Sequence, residues 1–375
     1  PMLKAFGLPP PERRVGLAAH DFAQAFCAPN VVLTRATRVE GTPTVPSRWL
    51  LGLQTQLRGL GLENALKPDL EWLQWVSGLD ASEKPGAIPP PAPTPPVAAR
   101  PRKLSVSRVE TWVRDPYAIY AERILGLRPL DPLDADPGAA ERGSVIHKAL
   151  ERFIAAHPGE LPADPAGELI AIGRQVFEEH LDRPGVRAFW WPRFKRIAHW
   201  FVDFERGRRG GGQMTAATEV NGRLALAGPA GDFTLTARAD RIDRLSGGGL
   251  AIIDYKTGQT PTSPQVECCL APQLPLEAAI AGDGGFEGIG GEKIDQLIYL
   301  RLSGGRLAGE IKVLKLDVAE AADKALAGLR KRIAAFDDPG MPYRSRPVPM
   351  FESQYGDYDH LARVKEWTAA IGEGE

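Results

Sequence analysis

Residues 233–258 read FTLTARADRIDRLSGGGLAIIDYKTG, and this stretch predicts a β-hairpin that carries acidic residues at its strand ends. Polar and apolar side chains alternate from Thr234 to Ala239, which is the period of a half-buried strand. Three glycines at 247–249 then supply the turn. The apolar run 250–253 is typical of a buried central strand, so the stretch predicts a chain built on a β-sheet.

Asp254 and Lys256 follow the second predicted strand directly. Because side chains alternate along a strand, these two should face one side and Tyr255 the other. If the two strands pair as a hairpin, Asp240 comes near Asp254. Two carboxylates and an ammonium in one small space favour a hard divalent cation such as Mg²⁺. The reaction that this combination suits is metal-assisted hydrolysis of a phosphodiester in nucleic acid.

The alternative interpretation is a solvated hairpin end, in which Asp240 and Asp243 form surface pairs with the arginines that follow them. A lone D-x-K after a strand is a weak signal, because short motifs match by chance. Two other segments favour the metal site. GSVIH at 143–147 opens an amphipathic helical segment, and PQLPL at 272–276 follows the D-x-K strand after a short loop and opens another predicted helix.

The order of these motifs resembles a known family. GxxxH at 143–147, the strand-borne Asp240, DYKTG at 254–258 and QLPL at 273–276 resemble the RecB-type branch of the PD-(D/E)XK nuclease superfamily. The flanking sequence resembles the AddB family of subunits of the bacterial AddAB helicase–nucleases. The resemblance covers most of the chain, and the ordered set is specific although each motif alone is weak. It implies an α/β, restriction-endonuclease-like mixed β-sheet core flanked by helices.

The resemblance implies a metal site whose ligands can be named in this chain. His147 matches the family's metal-binding histidine, and Asp240 and Asp254 match its metal carboxylates. The main-chain carbonyl of Tyr255 would be a further ligand. The metal would be Mg²⁺, with Mn²⁺ as a second possibility. In iron–sulfur members of the family four cysteines hold a cluster, and this chain has Asp115 at the first of these positions, so no iron–sulfur cluster is expected.

The same resemblance implies the catalytic residues. Lys256 matches the catalytic lysine and would act with the carboxylates of Asp240 and Asp254. Gln273 matches the glutamine that supports the site and the DNA strand. Where the family often has Q-x-x-x-Y, this chain has Gln273 followed by Glu277, which is a departure from the pattern.

For the whole chain the resemblance implies a metal-dependent DNA exonuclease domain of a helicase–nuclease that processes double-strand breaks for recombinational repair. Its partners would be DNA, with a single strand at the nuclease site, and an AddA-type helicase–nuclease subunit. The alternative, from another functional class, is a catalytically weak DNA-binding and docking scaffold subunit. The intact set of one histidine, two aspartates and a lysine favours the nuclease, and the missing tyrosine after Gln273 favours the scaffold.

Composition places the chain among globular proteins. It has 375 residues, which predicts about two domains, and 43% apolar residues with a mean hydropathy of −0.22. No stretch approaches the roughly 18 apolar residues of a membrane span, and the start lacks the apolar core of a signal peptide. Three cysteines give no disulfide framework. A cytoplasmic location is the default expectation, and Pro1 at the start predicts a C-terminal fragment of a longer protein.

Three segments are expected along the chain. Residues 1–84 contain VVLTRATRVEGTPTVPSRWL at 31–50, which resembles the last motif region of superfamily 1 helicases, and 30–35 are predicted to be a buried strand. The sequence has no G-x-x-x-x-G-K-[ST] phosphate loop, so this module is expected to be an inactive motor without an ATP site. Residues 85–103 hold eight prolines and predict a semi-rigid linker. Residues 104–375 are expected to form the nuclease domain.

A segment rich in basic and aromatic residues precedes the hairpin. Between 183 and 209 eight residues are basic and two are acidic, with aromatic residues between them. Such interleaving suits single-stranded DNA, and the candidate phosphate contacts are Arg187, Arg193, Lys195 and Arg196. The alternative is that the aromatic residues, which fall at helical spacing, form core.

Two smaller expectations concern positions near the motifs. Ser107 with Glu110 three residues later forms a capping-box pattern, which predicts that the first helix of the nuclease domain begins there. Glu219 lies on a strand-like segment and is a candidate extra acidic ligand, although a surface role is favoured. Further strands are predicted at 294–302 and 307–316, and an amphipathic helix at 318–336.

Overall fold

The computed structural model describes residues 11–66, 70–81, 88–130, 138–181, 183–347 and 356–372. The chain divides into two compact units, Pro1–Gly86 and Ala87–Glu375. No helix in the described ranges is long and apolar enough to cross a membrane.

The first unit consists of short elements and has no fully buried residue among those described. Its residues 31–36 form no strand, and Val32 is 66% exposed, so the predicted buried strand at 30–35 is wrong. An apolar run becomes a buried strand only beside neighbouring strands. In the described part of this unit the strands are a single hairpin of two strands with two residues each. Its elements are α1 (Pro11–Phe26), β1 (Arg38–Val39), β2 (Thr42–Pro43), α2 (Arg48–Gly59), a 3₁₀ turn (Glu63–Leu66) and α3 (Leu70–Asp80).

The second unit is built on one six-stranded mixed sheet. Its strands are β3 (Lys103–Ser105), β4 (Met214–Leu226), β5 (Phe233–Arg244), β6 (Leu250–Lys256), β7 (Ile294–Arg301) and β8 (Glu310–Val313). The order is β3-β5-β6-β7-β8, with β4 along the other side of β5. The predicted hairpin of β5 and β6 is confirmed as an antiparallel pair, whereas β3 with β5 and β6 with β7 are parallel.

Helices cover both faces of this sheet, so the predicted mixed sheet flanked by helices is confirmed. The helices are α4 (Val106–Arg114), α5 (Pro116–Ile119), α6 (Ala139–Ala156), α7 (Pro165–Leu181), α8 (Trp191–Gly210), α9 (Ser263–Glu267), α10 (Gln273–Gly282), α11 (Val318–Phe336) and α12 (Val364–Gly372). One apolar core lies between the sheet and α4, α10 and α11, and a second lies between the sheet and α6, α7 and α8. Two π-helical turns, Tyr120–Ile124 and Val186–Trp190, extend α5 and precede α8.

The end of the proline-rich segment belongs to the second unit and is hydrogen-bonded to the chain near the end of α11. The buried guanidinium of Arg100 donates to the carbonyls of Phe336 at 2.7 Å and Asp338 at 2.9 Å, beyond the end of α11. The amide of Tyr343 donates to the carbonyl of Pro93 at 2.9 Å. These bonds hold residues 93–100 against the folded unit, whereas a polyproline spacer needs no such contacts.

Helix α4 begins before the predicted capping box. Ser105 is its N-cap residue, and the Ser105 hydroxyl accepts a hydrogen bond from the amide of Arg108 at 3.3 Å. The predicted start at Ser107 is therefore wrong. Ser105 ends β3 and has the extended backbone of a cap, so strand and helix follow each other without a loop.

A buried ionic network joins β5 to α8. Arg241 is 1% exposed and donates to the carboxylates of Asp243, at 2.5 Å, and Glu205. Arg208 donates to the same Asp243 at 2.7 Å, and Arg209 to Glu205 at 3.0 Å. Asp243 and Arg241 are thus core residues rather than the surface pairs of the alternative interpretation. Because each buried charge has a partner, the network fixes β5 against the helix.

Replacing Glu205 with alanine should lower the free energy of unfolding by about 3–5 kcal/mol, because it leaves the buried Arg241 charge partly uncompensated. The matched control is Asp203→Ala on the same helix, whose pair with Arg206 is exposed and is worth about 0–1 kcal/mol. Urea unfolding followed by circular dichroism measures both values. Equal midpoints for the two variants would show that the network does not stabilise the fold.

Candidate functional site

The topology of the sheet creates an opening at Asp240. Strand β4 runs along the whole of one side of β5, and the other side pairs first with β3 at 234–236 and then with β6 at 241–244. Asp240 lies between these two partners. Its Oδ2 accepts a hydrogen bond from the amide of Tyr255 at 2.7 Å. This bond holds the Asp240 carboxylate beside the end of β6.

Helix α6 brings His147 to this carboxylate. The buried side chains of Ile146 and Leu150 attach the helix to the core below the sheet. His147 Nδ1 then lies 3.6 Å from Asp240 Oδ2, and the imidazole packs edge-on against Tyr255, with ring centroids 5.6 Å apart. The predicted helical segment 143–157 is confirmed, and it begins four residues earlier, at Ala139.

Glu219 on β4 completes a cluster of ligand atoms. One ligand atom each of His147, Glu219 and Asp240 lies within 4.8 Å of the others, so Glu219 is close enough to be the extra ligand, and that role stays a prediction. Glu219 has φ of +50°, in the left-handed region where a residue with a side chain is uncommon. Such strain is found at functional sites, where the surrounding structure maintains it. Arg238 binds the Glu219 carboxylate at 2.8 Å.

The electrostatics of this cluster suit a cation. Burial raises the pKa of Glu219, and the neighbouring Asp240 carboxylate raises it further. Burial alone would lower the pKa of His147, but Asp240, with smaller contributions from Asp254 and Glu219, raises it overall. In both cases the negative charge of the neighbouring Asp240 carboxylate contributes to the raised pKa. Two carboxylates suit Mg²⁺ and Mn²⁺, and a neutral imidazole is a common ligand of divalent metals, so these residues fit a divalent metal ion.

Asp254, Lys256 and Gln273 form a second group beside the cluster. Lys256 Nζ lies 2.9 Å from Asp254 Oδ1 and 3.1 Å from Gln273 Oε1, and Gln273 Nε2 donates to Asp254 Oδ1 at 2.7 Å. Asp254 Oδ2 lies 2.8 Å from the same ammonium outside hydrogen-bonding geometry, and it accepts no hydrogen bond from a described residue. Burial, opposed by Lys256, raises the pKa of Asp254 to about 6.

The two groups are adjacent, but Asp254 is not part of the 4.8 Å cluster. Its role as a metal ligand therefore stays a prediction, as does that of the Tyr255 carbonyl. Asp254 and Asp240 nevertheless influence each other's charge, since the Asp240 carboxylate contributes to the raised pKa of Asp254. Lys256 keeps its ammonium form: burial alone would lower its pKa, and the charge and hydrogen bond of Asp254 raise it overall.

The side chain of Glu277 is hydrogen-bonded to the side chain of Gln273. It is 1% exposed, one turn further along α10, and its Oε1 accepts a hydrogen bond from Gln273 Nε2 at 3.2 Å. Burial, and then the charge of Asp254, raise the pKa of Glu277 well above its ordinary value, which favours the neutral acid. Tyr299 on β7, paired in register with Asp254, packs into the same core with its hydroxyl unbonded to any described residue.

The predicted DNA-contacting residues lie on the surface at the start of α8. Arg187, Arg193, Lys195 and Arg196 are all exposed. Arg196 Nε donates to the carbonyl of Gly304 at 2.8 Å, between β7 and β8. Their role as phosphate contacts stays a prediction. The aromatic residues Phe194 and Phe201 of the same basic and aromatic segment are fully buried, as the alternative interpretation had it.

Comparison with known proteins gives a matching family model and several relatives. A family model described as the PD-(D/E)XK nuclease superfamily matches residues 103–347. An uncharacterized protein of Rickettsia bellii (strain RML369-C) is 31% identical over 186 residues, 50% of this chain and 22% of that protein. Uncharacterized protein RC0550 of Rickettsia conorii (strain ATCC VR-613 / Malish 7) is 30% identical over 190 residues, 50% of this chain and 23% of that protein. The matched region thus spans about a fifth of the length of these relatives.

One solved structure is similar at low level. The structure described as "Crystal structure of SSO0001" covers 61% of this chain and 75% of that chain, with 15% identity and a TM-score of 0.26. A likeness of this size supports no argument about function.

Replacing Glu277 with glutamine should stabilise the protein increasingly as pH rises. An unfolded glutamate releases its proton near pH 4.5, whereas folded Glu277, with its raised pKa, keeps it. The unfolded state then binds fewer protons, so wild-type stability falls with pH above that point, by up to about 1.4 kcal/mol per pH unit. Glutamine does not titrate and keeps the carbonyl acceptor for Gln273.

The measurement is the difference in unfolding free energy between Glu277→Gln and the wild type from pH 4.5 to pH 8. The difference should grow with pH. The control is Glu366→Gln, whose carboxylate is exposed, and which should show no such growth. A difference for Glu277→Gln that is independent of pH would mean that Glu277 is ionised in the folded protein.

Proposed function

Because this chain belongs to the PD-(D/E)XK nuclease superfamily, we propose that it is a metal-dependent deoxyribonuclease that hydrolyses phosphodiester bonds. The observation that carries the proposal is the cluster of His147, Glu219 and Asp240, within 4.8 Å of one another, next to the Asp254–Lys256 pair. The cluster lies beside a carboxylate, Asp254, that is almost fully buried, and beside the ammonium of Lys256. This arrangement supplies ligands and a fixed cation in one place.

We assign the metal-binding role to His147, Glu219 and Asp240, with Asp254 and the Tyr255 carbonyl as additional ligands, and Mg²⁺ or Mn²⁺ as the ion. When bound, such an ion lowers the pKa of water and neutralises charge on a phosphodiester. The amide of Tyr255 orients the Asp240 carboxylate, so the ligand oxygen does not depend on the ion for its position.

Lys256 acts in this proposal as a fixed ammonium. It donates to Asp254 and Gln273, which leaves one of its three protons for a phosphate oxygen or for the attacking water. Charge developing on the phosphate is stabilised most by donors that are already in place. Gln273 provides that preorganisation, because it binds Asp254 through its nitrogen and Lys256 through its oxygen.

The finer proposal is that the chain is part of an AddB-like subunit of a helicase–nuclease, an exonuclease that processes double-strand breaks for recombinational repair. It rests on the ordered motifs and on the helicase-like sequence at 31–50. An AddA-type subunit would be the partner, and a single DNA strand the substrate, approached by Arg187, Arg193, Lys195 and Arg196. The segments 1–84, 85–103 and 104–375 would be inactive motor, linker and nuclease.

A second candidate function is a catalytically weak DNA-binding and docking scaffold. Two observations favour it. Glu277 stands where the resembling family often has tyrosine, and Asp254 is bonded to Lys256 and Gln273 rather than grouped with the triad of ligand atoms. The complete set of histidine, carboxylates and lysine favours the nuclease instead.

Replacing Lys256 with alanine should lower the rate of cleavage about 10²–10³-fold, the usual loss when one electrostatic donor is removed. The measurement is a Mg²⁺ titration of cleavage of end-labelled single-stranded DNA by the wild type, Lys256→Ala and Asp240→Asn. Lys331→Ala on the exposed face of α11 is the control and should cleave as the wild type does.

Metal-dependent cleavage that is lost in both site variants supports the nuclease and its site together. Cleavage by Lys256→Ala at the wild-type rate would overturn the assigned role of Lys256. A wild type that binds DNA in Mg²⁺ or Mn²⁺ but never cuts it, alone or with a partner helicase subunit, would support the scaffold function instead.

A further inference from the structure

A cavity of about 870 Å³ opens on the sheet beyond the candidate metal centre. Part of its wall is formed by polar side chains on three neighbouring strands: Lys103, Ser105, Asn221, Arg223, Thr236 and Arg238. The residues that alternate with them, such as Leu104, Leu224 and Leu235, are buried in the core on the opposite face. The segment 283–287 after α10 forms another wall. No role described above uses this cavity.

Strand register aligns the cavity with the metal centre. Thr236 lies between Ser105 on β3 and Arg223 on β4, and Arg238 is paired with Asn221. Asp240 is the next residue on this side of β5, two positions beyond Arg238, which is a distance of about 7 Å along a strand. The cavity is therefore a continuation of the metal centre along β5.

The sheet side of the cavity carries cationic and hydrogen-bonding groups. Lys103 and Arg223 are exposed, and neither has a salt bridge with any residue that the structure describes. Asp283 and Glu287 are the acidic residues of the lining, on the segment that is hydrogen-bonded to β4 at Asn221 and Arg223. Helix α4 begins directly after Ser105, so the positive end of its dipole also lies at this cavity.

Arg238 connects the cavity with the metal centre. Its guanidinium binds Glu219 at 2.8 Å, while its side chain remains 60% exposed on the cavity side. An arginine has five donors, so Arg238 can hold Glu219 and still donate to an anion in the cavity. A phosphate bound by Arg238 would lie next to Asp240, which is two residues further along the same side of β5.

We propose that this cavity binds the backbone of the nucleic-acid strand next to the bond that is cleaved, with Lys103, Arg223 and Arg238 contacting phosphates. Ser105, Asn221 and Thr236 supply neutral donors to phosphate or sugar oxygens, contacts that position a strand without reading its sequence. The inference rests on the proposed nuclease function. It adds a substrate-binding surface distinct from the basic start of α8, which sequence reasoning alone had singled out.

The test measures binding of a short fluorescein-labelled oligothymidylate in the Lys256→Ala background, where the strand is not cut. Lys103→Gln/Arg223→Gln should raise Kd at least about tenfold and reduce the slope of log K against log salt by about 1.4, since each single-strand phosphate contact contributes about 0.7. Arg330→Gln/Lys331→Gln on α11 removes the same charge elsewhere and should change neither value. Arg193→Gln/Arg196→Gln tests the start of α8 in parallel.

Equal Kd and slope for Lys103→Gln/Arg223→Gln and the α11 control would overturn the proposal, as would a loss confined to the α8 variant. Displacement of the oligonucleotide by inorganic phosphate as effectively as by unlabelled strand would also overturn it, because it would mark a small-anion site only. Circular dichroism melting checks that the double variant folds. If the double variant does not fold, the single variant Lys103→Gln, on the short edge strand β3, is tested instead. It should reduce the slope of log K against log salt by about 0.7.

Turnover by the active protein separates this proposal from the proposed function. If the wild type cleaves DNA with Mg²⁺ and the Lys103/Arg223 double variant has a raised KM with unchanged kcat, both stand. Metal-dependent cleavage with an unchanged KM would remove the cavity proposal and leave the nuclease. A wild type that binds through Lys103 and Arg223 but never cleaves would leave the cavity as a strand-binding surface of a scaffold.

Discussion

The candidate site depends on one backbone hydrogen bond, from the amide of Tyr255 to the carboxylate of Asp240. It exists because β5 has two successive neighbours on one side and an opening between them, so an amide at the end of β6 is free to bind a side chain instead of another strand. The same bond joins the strand that carries Asp240 to the strand that carries Asp254 and Lys256. The relative position of the two groups therefore follows from sheet pairing rather than from loops.

Charge is distributed unevenly around this opening. The distribution explains why the fold tolerates the clustered carboxylates of Glu219 and Asp240. On the helix α8 side of β5, Arg241 is fully paired with Asp243 and Glu205, and on that side every buried carboxylate has an arginine. At the opening itself, the Glu219 carboxylate is paired with the exposed Arg238, and the Asp240 carboxylate lies beside His147 and the Tyr255 amide. Folding energy from the buried network and the two apolar cores offsets the local repulsion, which a bound cation would relieve.

Sequence reasoning reached the parts of the fold that are set locally. Alternation and the glycine turn predicted β5 and β6, and the 318–336 helix was predicted with its observed ends. It missed what depends on distant partners. Glu219 is a candidate ligand from the sequence with a surface role favoured, because its left-handed backbone and its approach to His147 have no sequence pattern. Arg241 is buried because α8 supplies Glu205, and the apolar run at 31–36 stays exposed for want of neighbouring strands. All the predicted roles remain predictions: metal binding by His147, Asp240, Asp254 and the Tyr255 carbonyl, and catalysis by Asp240, Asp254, Lys256 and Gln273.

Glu277 illustrates how a departure from a family pattern can preserve a geometry. A tyrosine one turn after the glutamine would offer a hydroxyl, and a neutral glutamic acid offers a carbonyl acceptor and a hydroxyl donor in a shorter side chain. The glutamine amide cannot turn over, because its oxygen would then face the Asp254 carboxylate and its nitrogen the Lys256 ammonium, and Glu277 accepts a further hydrogen bond from the same Nε2. Its oxygen is thereby kept towards Lys256 and its nitrogen towards Asp254. The buried acid thus helps to keep Gln273 in the one orientation that bonds to both Asp254 and Lys256.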